Sequence, residues 1–290
     1  MSEMKLYNGD CLTIMNDVPD KSIDMILCDL PYGKTQNRWD NTIPFNDYVC
    51  IDDNNYNLDE FLLYSYKQGL NYKDANSYFV ANKNKGLWSH YQRIIKDNGV
   101  VVLFGQGMFY TDLINSNKKI FRYDLVWDKT LISGFLNANR MPLRQHEQIA
   151  VFYKKLPKYH PQFTNGKPLH SKGKTYKDKP IKNQNYGKFH STDDNSAGST
   201  EKYPTSILNF PKPHPSIAVH PTQKPVELLE YLIKTYTDEN DTVLDNCMGS
   251  GNTGVACLKN NRKFIGIELD KDYFEIAKSR IEEVGYVKNI

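Results

Sequence analysis

Short apolar runs without polar alternation recur along this chain and constrain its architecture more than any single residue does. Ile23-Asp24-Met25-Ile26-Leu27-Cys28, Val100-Val101-Val102-Leu103-Phe104-Gly105 and Phe264-Ile265-Gly266-Ile267-Glu268 are each long enough for one strand and too short for a helix. Strands that are apolar on both faces belong in a sheet covered on both sides, the usual setting of a parallel sheet. Residues 5–8, 123–127, 148–153 and 242–244 read as further strands. Helical texture falls between them at 88–96, 108–118, 225–236, 253–259 and 270–283, with Asn98-Gly99 read as the stop of the first. This alternation predicts an α/β fold with a doubly wound, mostly parallel sheet. A chain of 290 residues holds one such core with room for a smaller lobe or long insertions.

Two stretches break the pattern. Residues 41–87 are rich in Asn, Asp and Tyr and show one helix near 58–66, as an insertion or lid would. Residues 154–190 carry ten lysines against a single acid, Asp178, with Tyr159, Phe163, Tyr176, Tyr186 and Phe189 interleaved. The formal net charge of +3 identifies no partner; this local concentration of lysine suits phosphate contacts, and taken alone it also reads as a solvated lysine-rich loop. The chain therefore divides into a first core half, 1–153, with the insertion 41–87, a basic segment, 154–215, and a second core half, 216–290. Hydrophobic residues at 39% and charged residues at 24% fit a water-soluble globular protein. The five cysteines are odd in number and lack CxxC pairing, and no metal ligand set is assigned. Met1-Ser2-Glu3-Met4-Lys5 lacks the apolar run of a signal peptide, and no stretch approaches the ~18 apolar residues of a membrane span. A cytoplasmic location is the expectation.

Gly249-Ser250-Gly251-Asn252-Thr253-Gly254 satisfies G-x-G-x-x-G, a pattern that an ordinary tight turn also produces. Its context is a strand before and a helix after, so backbone N–H groups would point at an anionic group. Glu268, at the end of the next strand, suits a ribose diol. Nicotinamide and S-adenosylmethionine enzymes share that arrangement. Two features favour the methyl donor: Asp245 at the strand end, where the amino-acid part of the ligand would lie, and His220-Pro221-Thr222-Gln223-Lys224-Pro225 upstream, whose Thr222 and Lys224 suit a carboxylate. Lys224 also reads as an ordinary solvated lysine at a helix start.

Asp29-Leu30-Pro31-Tyr32 follows the first apolar run directly. An exocyclic amine is a poor nucleophile because its lone pair is delocalised into the ring. The Asp29 carboxylate and the Leu30 carbonyl can each accept a hydrogen bond from such an NH2 group, favouring a pyramidal nitrogen and supporting the charge that develops on attack. Pro31 fixes the turn. Tyr32 can stack on an extruded base, a contact worth ~1–3 kcal/mol. A base inside a duplex is out of reach, so it must be flipped out. Taken alone, Asp and Pro here also describe a plain strand-ending turn.

With both motifs on one chain, the sequence resembles the β-class DNA amino-methyltransferases, in which the catalytic tetrad precedes the cofactor glycine loop. The resemblance covers Leu6-Tyr7-Asn8-Gly9-Asp10-Cys11, the tetrad with Gly33, and residues 88–104, 127–153 and 220–281. It implies a Rossmann-like methyltransferase core, S-adenosylmethionine as cofactor and double-stranded DNA as partner, with no membrane. A homodimer and a cognate restriction enzyme are further partners such a protein can have. By the same resemblance Asp10 and Cys11 belong to the adenine-ring pocket of the cofactor and Glu268 to its ribose. Asp245, Cys247, Gly249, Ser250 and Gly251 belong to the glycine motif, and Asp29, His220, Thr222 and Lys224 complete the cofactor set. Asn246-Cys247 stand where the family usually has Pro-Phe, and Leu30 where it more often has Pro. The basic segment 154–215 takes the place of the target-recognition segment, with lysines for phosphates and amides and aromatics for base edges. Asn137, Asn139, Arg140, Arg144, His146 and Glu147 fall near the DNA without assigned base contacts. The insertion 41–87 is a lid, a DNA-side arm or a dimer contact; Asp47, Asp52, Asp53, Asp59 and Glu60 argue against a long phosphate track in its first half.

The leading reading is N6 methylation of adenine in DNA. N4 methylation of cytosine uses a similar pocket, more often entered by Ser than by Asp. C5 methylation is disfavoured because no Pro-Cys pair occurs. A nicotinamide dehydrogenase would leave the tetrad and the lysines without a role, and a non-catalytic DNA-binding subunit would have no need of every motif residue.

Overall fold

In the computed structural model, residues 3–33, 40–168, 182–183, 187–188, 198–212 and 223–287 are described. The chain begins with β1 (Met4–Asn8), α1 (Cys11–Ile14), β2 (Ile23–Cys28), the hairpin β3 (Tyr48–Ile51) and β4 (Asn54–Asn57), α2 (Leu58–Lys67) and α3 (Tyr72–Asn82). It continues through α4 (Leu87–Ile94), β5 (Ile95–Gly105), α5 (Met108–Ser116), β6 (Phe121–Ser133) and β7 (Arg144–Phe152). The two-residue strands β8 (Thr164–Asn165), β9 (Lys182–Asn183), β10 (Gly187–Lys188) and β11 (Glu201–Lys202) precede β12 (Ile207–Asn209). The last elements are α6 (Val226–Tyr236), β13 (Thr242–Asp245), α7 (Asn252–Lys259), β14 (Lys263–Glu268) and α8 (Lys271–Val287).

The apolar runs pair as an eight-stranded sheet in the order β1-β14-β13-β2-β5-β7-β6-β12. Every pairing in it is parallel except the two made by β7. Side chains of a strand alternate between faces, and here both faces are covered. Met25, Leu27, Val100, Val102 and Phe104 pack on one side with α6, α7 and α8; Ile26, Cys28, Val101 and Leu103 pack on the other with α1, α4 and α5. Each such side chain fully buried contributes roughly 1.5–3 kcal/mol. The doubly wound α/β sheet expected from the sequence is the observed fold.

The predicted helix 88–96 ends early. Ile95 is already extended, with φ −77° and ψ 141°, because it joins β5 opposite Ile23. Residues 96–99 then bulge, and Lys96 Nζ holds both oxygens of Asp24 at 2.7 and 2.8 Å. Gly99 therefore caps no helix; a Cβ there would lie 2.5 Å from Ile95 Cγ1 and 2.9 Å from the Asp24 carbonyl oxygen. Strands β6 and β7 run well beyond the expected 123–127 and 148–153.

The insertion 41–87 has a small core of its own around Val49, Phe61, Ala75 and Phe79. Asp52 and Asp53, at φ 48° and 63°, turn the β3–β4 hairpin. Asn57 and Glu60 close a capping box on α2, the helix expected near 58–66.

Contacts divide the chain into one unit of Met1–His160 with Ser206–Ile290 and a second of Pro161–Thr205. In the second, β8 and β11 form an antiparallel ladder, and the rings of Phe163 and Tyr203 meet at 4.8 Å, tilted by 58°. Most of the lysine-rich stretch, and His220 and Thr222, lie outside the described residues. Among the described residues no helix is long and apolar enough to cross a membrane.

Candidate active site

Parallel strands deliver their carboxyl ends to one edge of a sheet, where α/β proteins bind ligands. Here that edge carries Asp10 just after β1, Asp29 after β2, Trp127 in β6, Asp245 at the end of β13 and Glu268 at the end of β14. All line one cleft of about 340 Å³, within the range of small-molecule sites.

The glycine segment forms one wall. Gly249 and Gly251 sit at φ 51° and 81°, the left-handed region that favours glycine. A Cβ on Gly251 would also meet Ala277 Cβ at 2.9 Å and Ala277 Cα at 3.0 Å, so the loop can lie on α8 only without a side chain. Glu268 fixes the turn: its Oε2 accepts from the Gly249 N–H at 2.8 Å and its Oε1 from the Asp270 N–H at 2.9 Å. Each oxygen keeps a lone pair for another donor. Ser250 is buried beside it. Asp245 accepts from Thr253 Oγ1 at 2.6 Å and from the Cys247 N–H at 3.1 Å. Burial nevertheless pushes its carboxyl up to about 6, with Asp29 adding to the rise.

At the far end of this wall Asp10 caps α1, accepting from the Thr13 N–H at 2.8 Å, and Cys11 is buried behind it. Asn246, in place of the family's usual Pro, accepts from the Tyr91 hydroxyl at 2.6 Å and lays its amide beside the Cys11 and Cys247 sulfurs at 3.7 and 3.5 Å. Asn246 thus anchors the loop to α4 by a buried hydrogen bond.

The tetrad forms the facing wall. Leu30 is buried and Pro31 lines the cleft. The Tyr32 hydroxyl donates to Asp29 Oδ1 at 2.8 Å, and the Tyr32 ring lies 4.6 Å from that of Phe109. Lys224 is only 7% exposed; its Nζ contacts Asp29 Oδ2 at 2.5 Å and Glu147 Oε2 at 3.2 Å. It lies over the rings of Phe104 and Trp127, with centroids at 5.1 and 5.8 Å. Glu147 is shared with buried Lys129 at 3.4 Å. Burial works against the Lys224 charge, but Asp29 and Glu147 outweigh it and hold the ammonium above the ordinary lysine range. Burial likewise opposes the Glu147 charge, but Lys224 and Lys129 win and hold it below the usual carboxylate range. For Asp29 burial wins, and its carboxyl stays above the usual range despite Lys224.

The structure thus brings together Asp10, Cys11, Asp29, Leu30, Pro31, Tyr32, Lys224, Asp245, Cys247, Gly249, Ser250 and Glu268 around one cleft, with Gly251 opening α7 just behind the loop. Lys224 is no solvated helix-start lysine: it is the charge between two carboxylates. Glu147 and Lys129 were not expected there. The signal for Glu147 is its place in β7, opposite the buried Trp127 and just ahead of Gln148-Ile149-Ala150-Val151. Among surface polar neighbours it passes for one of them.

The cleft suits a cation with a peptide-like end. Six carboxylate residues (Asp10, Asp29, Asp40, Glu147, Asp245, Glu268) line it against two lysines, Lys212 and Lys224, and the Lys224 charge is already divided between Asp29 and Glu147. Asn252 donates to the Lys224 carbonyl oxygen at 2.6 Å, but its own Oδ1 is buried with no partner among the described residues. An ammonium in the cleft would satisfy it. The residues therefore fit a sulfonium-bearing amino acid such as S-adenosylmethionine.

A family model described as DNA methylase, for N6 and N4 methyltransferases, matches residues 23–279. The Type II methyltransferase M.HpaI of Haemophilus parainfluenzae is 26% identical over 289 residues, 97% of this chain and 74% of that protein. The Type II methyltransferase M2.MboI of Moraxella bovis is 25% identical over 96% of this chain and 88% of its own. The solved structure of the M1.HpyAVI–SAM complex is similar with a TM-score of 0.56 at 22% identity, covering 96% of this chain and 98% of that one. That of the PvuII DNA methyltransferase, cytosine-N4-specific, is similar with a TM-score of 0.57 at 16% identity, covering 100% and 92%. At those identities the two structures speak for the fold. The family match takes in both the tetrad and the glycine loop, and the chain belongs to the N6/N4 DNA methylase family.

Proposed function

We propose that this protein transfers the methyl group of S-adenosylmethionine to the exocyclic N6 of a flipped-out adenine in double-stranded DNA. The observation that carries the reading is the placement of the Asp29 carboxylate, fixed by Tyr32 and Lys224, in the same cleft as the 249–251 loop. The bound donor supplies a methyl group on a good leaving group, so transfer to nitrogen needs no covalent enzyme intermediate. Asp29 keeps one lone pair on each oxygen beyond those used by Tyr32 and Lys224, enough to accept from the amine. The Leu30 carbonyl takes the second amine hydrogen. As the nitrogen becomes cationic, Asp29 opposes that charge and is positioned to take the proton released. Tyr32, backed by Phe109, offers its ring to the base. Lys224 opposes the effect of burial and favours the ionised Asp29 that this role requires.

N4 methylation of cytosine is the alternative, and the fold likeness to an N4-specific enzyme keeps it in view. Asp rather than Ser at position 29 favours adenine. Purified protein incubated with labelled S-adenosylmethionine and genomic DNA is expected to yield label in N6-methyladenine after nucleoside digestion. Label in N4-methylcytosine would replace the first reading with the second.

The donor is cationic and favours ionised Asp245. Since burial sets that carboxyl at about 6, affinity for S-adenosylmethionine is expected to hold above pH 7 and fall about tenfold per pH unit below 6. The neighbouring Cys28 thiol, pushed up to about 12 by burial, stays neutral throughout. Calorimetric Kd values from pH 5 to 8 check this, and Asp245→Asn should lose most of the dependence. A flat wild-type profile would contradict the role given to Asp245.

A further inference from the structure

Strands β6 and β7 do not stop at the edge of the sheet. Strand β5 ends at Gly105, opposite Gln148, yet the β6–β7 pairing continues through Trp127 with Glu147 and Asp128 with His146 to Ser133 with Arg144. Because β6 runs in the direction of β5, this extension rises from the edge that carries the cleft. Residues 129–132 of β6 bulge, so the ladder advances by only the three residues of β7 from Glu147 to Arg144, about 10 Å at about 3.3 Å each, before the turn at the tip. That exceeds the ~8.5 Å depth of a DNA major groove.

The hairpin is anchored at its root and closed by backbone hydrogen bonds at its tip. At its root Trp127 is buried and donates from Nε1 to the Phe210 carbonyl oxygen at 2.7 Å, while Lys129 is buried against Glu147. At its tip Gly134, at φ 82°, starts a 3₁₀ turn over Phe135–Asn137, closed by bonds from the Asn137 N–H to the Gly134 carbonyl and from the Arg140 N–H to the Asn137 carbonyl. What this ordered tip presents is apolar: Ile132 is 60% exposed, Phe135 75%, Leu136 83% and Met141 57%. Leaving such side chains in water forgoes roughly 1.5–3 kcal/mol each, and clustered exposure of this kind marks an interaction site. No acid occurs from Lys129 to His146, whereas Arg140 and Arg144 stand exposed with Asn137 and Asn139. The tip thus complements a polyanion. A second copy of the same face across a two-fold axis would oppose basic to basic.

We propose that Phe135 and Leu136 form an apolar wedge that enters the DNA base stack and fills the space left by the flipped base. The proposal rests on the reading of this protein as a base-flipping DNA methyltransferase. Unstacking a base costs a few kcal/mol, and apolar side chains inserted between base steps offset it. Asp29 and Tyr32 hold the extruded base, and the hairpin tip occupies its former place.

The test uses three duplex oligonucleotides carrying the site found by sequencing methylated DNA: one fully paired with the normal base, one with 2-aminopurine at the target position, which lacks the N6 amine and reports flipping only, and one with the normal base opposite an abasic position. The double variant Phe135→Ala/Leu136→Ala changes only exposed side chains. It is expected to lose at least tenfold in kcat/KM on the fully paired site, together with the rise in 2-aminopurine fluorescence, and to stay within threefold of wild type on the abasic duplex. Phe135→Trp should restore the fluorescence rise that Phe135→Ala reduces. Equal losses on the paired and abasic duplexes, or none on the paired one, would overturn the wedge while wild-type transfer leaves the methyltransferase reading intact. A wild-type dimer made monomeric by the double variant, with equal losses, would instead assign the patch to a second copy. No wild-type transfer to the paired or the abasic duplex would overturn both readings.

Discussion

Asp29→Ala is expected to lower methyl transfer to DNA by at least ~10³-fold while changing DNA binding in a gel-shift titration by less than about threefold. The size follows from what the carboxylate supplies. On the proposed reading it is the anionic acceptor of the amine, and it provides both the opposing charge and the base for the released proton. Its removal should not collapse the cleft, because Lys224 keeps Glu147 as a partner at 3.2 Å and Tyr32 keeps its ring contact with Phe109. Asp29→Asn tests the charge separately: it keeps an acceptor oxygen, and a loss nearly as large as that of the alanine variant would assign most of the effect to charge. Full activity in Asp29→Ala would remove the carboxylate from the mechanism.

Residues whose chemistry and local pattern agree were legible in the sequence. Asp29 ends an apolar run, Gly249 and Gly251 sit between a strand and a helix, and Glu268 ends the next strand; each position follows from local texture alone. The α/β alternation was legible for the same reason, since a strand apolar on both faces has few other places to go. Lys224 was legible as a site residue, but its pairing with Asp29 and Glu147 was not, because that pairing is long-range: Lys224 meets a carboxylate 195 positions away. Nothing adjacent in sequence announces that a lysine at a helix start will be sunk beneath Trp127 and Phe104. The helix at 88–96 failed differently. Its pattern was correct to Ile94, but pairing of Ile95 with Ile23 overrode the Gly99 stop signal. In the insertion, α3 was hidden by the polar composition of Tyr72–Asn82, where only Ala75 and Phe79 are buried.

Replacing Lys224 is expected to have the second large effect, and the direction depends on pH. Lys224→Met leaves the Asp29 carboxylate without its cation and Glu147 with Lys129 alone, in a setting where the three side chains are between 7% and 23% exposed. Breaking a buried pair from one side costs about 3–5 kcal/mol because the remaining charge is uncompensated. The carboxyls respond by holding their protons to higher pH in the folded state than in the unfolded chain. Their contribution to stability is then fully present below the unfolded carboxylate range and is lost as pH rises through the raised folded values, so the deficit of the variant should widen from pH 5 to pH 8 in urea titrations. Activity should show the opposite slope, since transfer needs Asp29 ionised. The ratio of kcat at pH 9 to kcat at pH 6.5 is expected to rise at least ~10-fold over wild type. A merely structural lysine would lower stability without moving that ratio. Adding Glu147→Gln to Lys224→Met leaves the buried Lys129 without its carboxylate, so it should cost further stability and should not restore the wild-type pH profile, because Asp29 still lacks its cation. Recovery of the profile by the double variant would transfer control of Asp29 ionisation from Lys224 to Glu147.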